Sequence, residues 1–137
     1  MTIVAPKLSI VIPVYNEARR IRPSLDQLVT FVKRLSYSCE VLIVVEKSSD
    51  GTLQIAREIL RGNEKFKVIG CETHRGKGFA VKTGMLQAQG EYVVYMDLDL
   101  STPLSEIERF LNSMQADPSL DVLIGNRRHP ESQIIKR

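Results

Sequence analysis

The sequence lacks several features that would assign it to a specialised class of protein. It has no tryptophan, and its two cysteines, Cys39 and Cys71, show neither a CxxC pattern nor metal-site spacing. Its longest apolar runs, such as Val41–Val45, fall far below the roughly 18 residues that indicate a membrane span. The N-terminus lacks the charged start and longer apolar core of a signal peptide. The sequence therefore predicts a soluble protein of a reducing compartment.

The composition is that of a globular protein. Hydrophobic residues make up 43% and charged residues 26% of the 137 positions, with few prolines and glycines. A chain of this length can bury a core but has no obvious room for a second one, so we expect a single domain over residues 1–137. The net charge of +3 suits anionic ligands, but it is too common in ordinary domains to indicate a partner.

Apolar runs alternate with helical patterns along the chain. The predicted strands cover residues 8–14, 39–45, 66–70, 91–96 and 120–124, and the predicted helices 17–35, 52–60, 77–89 and 103–115. The strands are continuously apolar, which favours burial on both sides. This order predicts an α/β fold with a mostly parallel sheet and helices on both faces.

Two local features of this sheet can be predicted. Ala80, Gly84 and Ala88 fall on one face of the third helix, which would let that helix lie close against the sheet. Cys39 opens the second strand and Cys71 follows the third. If those strands are parallel neighbours, the two thiols lie roughly 20 Å apart and form no disulfide.

Polar loops follow the first four predicted strands. In open parallel sheets ligands bind beyond the carboxyl ends of the strands. Residues 13–17, 46–52, 71–78 and 97–99 would therefore converge on one rim. Each loop has an ordinary explanation by itself, as a turn or a helix start, whereas their convergence indicates a binding site.

Asp97 and Asp99 are the first candidates on this rim. Two carboxylates separated by one residue can present oxygens to Mg²⁺ or Mn²⁺, which prefer oxygen ligands together with phosphate and water. Alternatively, one of them caps the following helix. Ser101 and Thr102, before Pro103, would already supply caps. On the residues alone, a metal site and a structural role are equally supported.

The loop at residues 74–78 is a candidate anion site. Its glycines would let the backbone approach a phosphate, and Lys77 would stand at a helix N-terminus. It is not a nucleotide P-loop, because the glycine spacing is one residue too long and Gly78 replaces Ser or Thr. A tight turn with a solvated lysine explains it equally well.

Other rim residues admit two explanations. Tyr15 offers a ring for stacking and Glu17 an acceptor, but both also fit a loop that enters a helix. Ser48–Thr52 fits a turn that caps the second helix. Arg127, Arg128 and His129 fit a solvated basic tail.

With these segments in view, the chain resembles the family-2 glycosyltransferases of the GT-A (Rossmann-like) fold. It is most similar to the dolichol- and polyprenyl-phosphate glucosyl- and mannosyltransferases. The segments that carry the resemblance are SIVIPVYNEARRI (9–21), SSDGT (48–52), HRGKGFAVKTGML (74–86) and DLDLSTP (97–103). They occur in family order and span residues 8 to about 128.

The resemblance implies an enzyme that transfers a hexose from a nucleoside-diphosphate sugar to a polyprenyl phosphate, with inversion and no covalent intermediate. It implies a Mg²⁺ or Mn²⁺ cofactor bound by Asp97, Asp99 and Ser101, with Asp99 as main ligand and catalytic residue. The residues implied to bind the donor are Pro13, Tyr15, Asn16, Glu17, Val45, Glu46, Lys77, Asp97 and Leu98. The expected location is cytoplasmic and peripheral at the membrane surface. No nucleic acid is implied, while a homo-oligomer or partner chain is left open.

The chain departs from the family pattern in two places. After the second strand the family usually has Asp-Asp-Gly-Ser, whereas this chain has Glu46 and Lys47 in a loop one residue shorter. Glu46 is expected to reach the nucleoside, but Lys47 reverses a charge, so the nucleotide is not implied. The second departure is at the C-terminus, where we expect the acceptor-side segment to be lacking. Residues 125–137 resemble its start, with Arg127 and Arg128 as candidate acceptor-phosphate contacts.

Two other classes of function compete with this hypothesis. A catalytically silent nucleotide-binding or interaction module would bind nucleotide without turnover. A GT-A-type nucleotidyltransferase is less well supported, because such enzymes usually carry a basic Gly-rich loop directly after the first strand. This chain has PVYNE there.

Overall fold

The structure, a computed structural model, describes residues 4–132. The chain divides between Leu104 and Ser105 into two compact units. Within the described range, no helix is both long enough and apolar enough to cross a membrane.

The first unit contains a parallel sheet of four strands in the order β3-β2-β1-β4. Its elements are β1 (Leu8–Val14), α1 (Ile21–Arg34), β2 (Cys39–Val45), α2 (Thr52–Ile59), β3 (Phe66–Gly70), α3 (Lys77–Gln87) and β4 (Tyr92–Tyr95). The predicted bounds of the first three strands are confirmed, and the helices and β4 differ from prediction only at their ends.

The two central strands carry the core. Every residue of β2 is buried, and so is every residue of β1 except the half-buried Pro13. The Cβ position of Gly70 in β3 faces Leu53 and Arg57 of α2. Because Gly70 pairs with Val45, and Val44 points to the opposite side, α2 and α3 lie on opposite faces of the sheet. The predicted α/β architecture with helices on both faces is therefore confirmed.

Helix α3 lies very close to the sheet. A Cβ atom added at Gly84 would lie 2.4 Å from Val11 Cγ1 and 3.0 Å from Val44 Cγ2. Ala80 is fully buried and belongs to the same apolar cluster, against which the partly buried Ala88 packs. The predicted small-residue face is confirmed. It holds the start of α3 in a fixed place beside the ends of β1 and β2.

A buried polar network lies near the amino ends of the strands. The Ser9 hydroxyl donates to Glu40 Oε1 at 2.6 Å, the Gln89 amide donates to the same oxygen at 2.7 Å, and Lys67 Nζ lies 2.9 Å from Oε2. Burial alone would raise the pKa of Glu40, but the hydrogen bonds from Ser9, Gln89 and Lys67 outweigh it, so the pKa is lowered. The Gly90 amide donates to Ser9 Oγ at 2.8 Å and completes the network.

The cysteine prediction is also consistent with the structure. β2 and β3 are parallel neighbours, and Cys39 and Cys71 are both free thiols. Burial raises the pKa of Cys39 to about 11, so this thiol stays protonated and unreactive near neutral pH.

The second unit contains one helix, α4 (Ser105–Ala116), within its described part. The predicted fifth strand is wrong: residues 120–124 form no strand, and Val122 and Ile124 are 72% and 80% exposed. An apolar run becomes a strand only where a neighbouring strand accepts its hydrogen bonds, and no described strand pairs with this one. Helix α4 begins two residues later than predicted.

Candidate functional site

A cleft of about 290 Å³ lies at the carboxyl ends of the strands of the first unit. Eight residues predicted for the site line it: Pro13, Tyr15, Glu17, Glu46, Lys77, Asp97, Leu98 and Asp99. Val14, Arg20 and His74 also line the cleft; Val14 and His74 belong to loops predicted for the rim, but none of the three was predicted individually as a site residue. The predicted convergence of separate loops on one rim is therefore observed.

The loops that follow β1 and β2 are bound to each other. The Asn16 amide donates to Ser48 Oγ and the Ser49 amide donates back to Asn16 Oδ1, both at 3.0 Å. Asn16 has a positive φ of 49°, a conformation that asparagine tolerates better than most residues. This reciprocal pair holds the backbone beside Tyr15 in place.

A second set of hydrogen bonds joins the loop before α1 to the turn at the start of α2. The Glu17 amide donates to Thr52 Oγ1 at 2.9 Å, and the Ala18 amide donates to Asp50 Oδ2 at 3.1 Å. The Thr52 hydroxyl donates to Asp50, and this hydrogen bond lowers the pKa of that carboxyl. The SSDGT segment is thus a turn that also anchors the neighbouring loop.

Glu17 is engaged by a neighbouring arginine. Arg20 Nε and Nη2 donate to its two carboxylate oxygens, each at 2.9 Å. This fork-like geometry orients both side chains at the cleft wall. The three-residue spacing of an acid and an arginine at a helix start was the available sequence signal for Arg20.

The carboxylate of Glu46 is buried at the end of β2, with 2% exposure. Its Oε1 accepts hydrogen bonds from the Arg75 and Gly76 amides, both at 2.7 Å, and its Oε2 lies 3.1 Å from His74 Nδ1. Glu46 therefore binds the loop that precedes α3.

His74 stacks on Tyr15. The ring centroids are 3.7 Å apart and the ring planes differ by 7°. One face of the Tyr15 ring is thus covered by an imidazole from another loop, which gives the cleft a layered aromatic wall. The sequence offered no pattern for this contact, because 59 positions separate the two residues.

Lys77 and Asp97 form an ion pair across the cleft. Lys77 is the first residue of α3, and its Nζ also lies 6.0 Å from the centroid of the Tyr95 ring. Both charged side chains remain about half exposed, at 55% and 43%. The N-terminus of α3 and its lysine therefore present positive charge directly beside the aspartate pair.

The Asp97–Leu100 segment forms a tight turn. The Leu100 amide donates to the Asp97 carbonyl at 3.2 Å, and the Ser101 amide donates to Asp99 Oδ1 at 2.9 Å. Leu100 has a positive φ of 53°, which is strained for a leucine. Helix α4 begins at Ser105, and the capping role of Ser101 and Thr102 stays a prediction.

The donor set of this turn suits a divalent cation that shares its ligands with a phosphate. Asp97 and Asp99 are hard oxygen donors in one cleft. Among residues 4–132, no three His, Cys, Asp or Glu side chains form a group that could hold a metal ion. Mg²⁺ and Mn²⁺ are often bound by only one or two carboxylates plus substrate phosphates, so the residues fit such an ion together with a phosphate ligand.

Three other predicted site residues of the first unit are not among the residues that line the cleft. Val45 is a core residue with 1% exposure, and Asn16 and Ser101 act through the loop contacts described above. Arg127 and Arg128 are exposed in the second unit.

A parallel sheet with an acidic pair, a basic helix start and an aromatic wall at its carboxyl edge defines an α/β protein with a ligand cleft at that edge. The family model for glycosyl transferase family 2 matches residues 9–135, and the chain belongs to that family. A related protein is dolichyl-phosphate beta-glucosyltransferase of Saccharomyces cerevisiae, 34% identical over 137 residues, or 89% of this chain and 41% of that protein.

Two solved structures show a similar fold. The mannosyltransferase PcManGT of Pyrobaculum calidifontis, in complex with GDP-Man and Mn²⁺, has a TM-score of 0.67 and 28% identity over 85% of this chain and 34% of its own. S. aureus TarS 1–349, in complex with UDP-GlcNAc, has a TM-score of 0.63 and 29% identity over 80% of this chain and 32% of its own. The GT-A fold prediction is thus confirmed. The chain spans about two fifths of the length of the curated relatives it matches.

Proposed function

We propose that this chain is the donor-binding part of a glycosyltransferase that transfers a hexose from a nucleoside-diphosphate sugar to a polyprenyl phosphate. The observation that carries the proposal is the cleft in which the layered aromatic wall, Lys77 and the two aspartates meet. Support comes from the family and from relatives named as dolichyl-phosphate beta-glucosyltransferases.

In the proposed complex, the nucleoside lies against Pro13, Tyr15 and Glu17, on the side of the cleft that carries the layered aromatic wall. An aromatic wall and a carboxylate suit a base and a ribose, because one offers stacking and the other accepts hydrogen bonds. The diphosphate lies toward the start of α3, where Lys77 and the helix dipole favour negative charge.

Asp97 and Asp99 would hold Mg²⁺ or Mn²⁺ together with the diphosphate, with Asp99 as main ligand and Ser101 holding the turn. The chemistry such an ion supplies is neutralisation of the charge that develops on the leaving nucleoside diphosphate. Support comes from the Mn²⁺ complex of the similar mannosyltransferase. Lys77 contributes to the same neutralisation from the chain itself.

The proposed transfer inverts the anomeric centre in a single displacement. The acceptor phosphate oxygen forms the new bond to the sugar carbon as the bond to the nucleoside diphosphate breaks. Because a phosphate is already anionic at neutral pH, the step needs no strong general base. Arg127 and Arg128 are proposed to contact that phosphate, and the acceptor would place the enzyme at the cytoplasmic surface of a membrane.

Calorimetry with GDP-hexoses and UDP-hexoses, with and without Mn²⁺, tests donor binding. We expect binding that depends on Mn²⁺ and that falls at least tenfold in the Asp99→Ala variant. Asp26→Ala, an exposed aspartate of α1, is the matched control and should bind as the parent chain does. Equal donor affinity with and without the metal would contradict the proposal.

A radiolabelled transfer assay with a polyprenyl phosphate distinguishes the enzyme from a silent nucleotide-binding module. A labelled lipid that requires both the donor and Asp99 supports transfer by this chain. Donor binding without any lipid product would restrict the chain to a binding role.

A further inference from the structure

We infer that Glu46 is a positioning residue whose length, and not only its charge, sets the shape of the donor cleft. This inference rests on the proposed function and revises the expectation that Glu46 contacts the nucleoside. Both of its oxygens face the loop at residues 74–76. A buried carboxylate must find hydrogen-bond donors, and this loop supplies them.

The hydrogen bonds of Glu46 also position the start of α3. Gly76 has a φ of 99°, and its carbonyl accepts the amides of Phe79 at 3.1 Å and Ala80 at 3.2 Å. The Gly76 amide, on the other side of the same residue, donates to Glu46. Glu46 therefore fixes Gly76, the residue on whose carbonyl the first turn of α3 begins, and with it Lys77.

The same carboxylate also fixes the aromatic wall. His74 lies within 3.1 Å of Glu46 through Nδ1 and stacks on Tyr15 at 3.7 Å between centroids. One side chain at the end of β2 therefore holds both the ring that lines the nucleoside side and the lysine that faces the diphosphate side.

The side-chain length that Glu46 needs distinguishes a positioning role from a direct contact with the nucleoside. Shortening Glu46 by one methylene withdraws the carboxylate by about 1.5 Å, the length of a carbon–carbon bond. The two 2.7 Å hydrogen bonds would then lengthen to roughly 4 Å, beyond hydrogen-bonding range. Glutamine keeps both the length and the Oε1 acceptor. A positioning role therefore ranks Glu46→Gln above Glu46→Asp, whereas a charged nucleoside contact ranks them in the opposite order.

The first experiment measures amide hydrogen exchange by NMR in the ligand-free chain. We expect the Arg75 and Gly76 amides to be protected in the parent chain and in Glu46→Gln, and to exchange at least tenfold faster in Glu46→Asp. The Cys71 amide, which donates to the Val45 carbonyl at 2.8 Å, is the internal control and should keep its protection. Unprotected Arg75 and Gly76 amides in the parent chain would overturn the inference without any variant, and so would equal protection in Glu46→Asp.

The second experiment measures donor affinity for the same variants with GDP-mannose and UDP-glucose in the presence of Mn²⁺. We expect Glu46→Asp to lose about tenfold and Glu46→Gln to stay within about threefold of the parent chain. The reverse order would overturn the positioning role and restore a direct contact. If the parent chain binds neither donor, the proposed function fails, while the exchange experiment still decides the role of Glu46.

Discussion

Substitution of Gly84 by alanine tests how closely α3 must approach the sheet. The added Cβ would lie 2.4 Å from Val11 Cγ1, whereas ordinary contacts begin at 3.4 Å. The helix must therefore move outward by about 1 Å, or Val11 must leave its rotamer. Because Lys77 begins the same helix, an outward movement also displaces the positive charge of the cleft.

The expected magnitude is a difference between two opposing effects. Overpacking of a close-packed core costs about 1–3 kcal/mol. Replacing glycine by alanine inside a helix gains about 1 kcal/mol. The free energy of unfolding should therefore fall by about 1 kcal/mol in Gly84→Ala, within a range from about zero to about 2 kcal/mol.

Gly78→Ala is the matched control for this substitution. It lies in the first turn of the same helix, and a Cβ there would have no atom within 4 Å. We expect it to stabilise the chain by about 0.4–1 kcal/mol. Urea unfolding followed by circular dichroism measures both values under one set of conditions.

Val11→Ala provides a second check on the mechanism. If the clash with Val11 causes the loss, the combined Gly84→Ala and Val11→Ala variant should be more stable than the sum of the single effects by about 1 kcal/mol. The reasoning is refuted if Gly84→Ala stabilises the chain as much as Gly78→Ala does.

Three further predictions concern charges and rings. Glu40→Gln should lower the free energy of unfolding by roughly 2 kcal/mol at neutral pH. The folded-state pKa of Glu40 is lowered, so the difference in free energy of unfolding between the parent chain and this variant should shrink as the pH falls below about 4.3. Urea titrations at several pH values measure it, and a difference that stays constant with pH would contradict the prediction. Lys77→Met should weaken donor binding about tenfold. In the absence of donor, the variant should bind Mn²⁺ as tightly as the parent chain or up to about fivefold more tightly, because it loses only a surface ion pair with Asp97 worth about 0.2–1 kcal/mol. Calorimetry measures both affinities, and Lys82→Met of the same helix is the control variant. Donor binding by Lys77→Met as tight as that of the parent chain would contradict the prediction. Tyr15→Phe should keep the donor affinity of the parent chain, whereas Tyr15→Leu should lose about 0.5–1.5 kcal/mol of donor-binding free energy, because only phenylalanine retains the stack with His74. Equal donor affinities of the two variants would contradict a stacking role.

The sheet could be predicted because its signals are local. Continuous apolar runs such as those of β1 and β2 fix the strands, and the glycines and polar residues between them fix the ends. The run at residues 120–124 carries a similar local signal yet forms no strand. Strand formation depends on a partner, which no local pattern contains.

The candidate site was predicted at the level of loops but not of contacts. Parallel topology brings strand ends together, so the rim followed from element order alone. The stacking of His74 on Tyr15 and the capture of the Arg75 amide by Glu46 depend on side-chain geometry across separate loops. The start of the last helix was also predicted only approximately, because α4 begins at Ser105, two residues later than the sequence pattern indicates.

The hydrogen bonds that join the loops after β1 and β2 affect how a ligand would be recognised. Asn16, Ser48 and Thr52 bind these loops to each other without any ligand. The conformational entropy of ordering them is therefore lost when the chain folds and not when a ligand arrives. A donor would meet a preorganised wall on this side of the cleft, so its affinity there is not reduced by loop ordering.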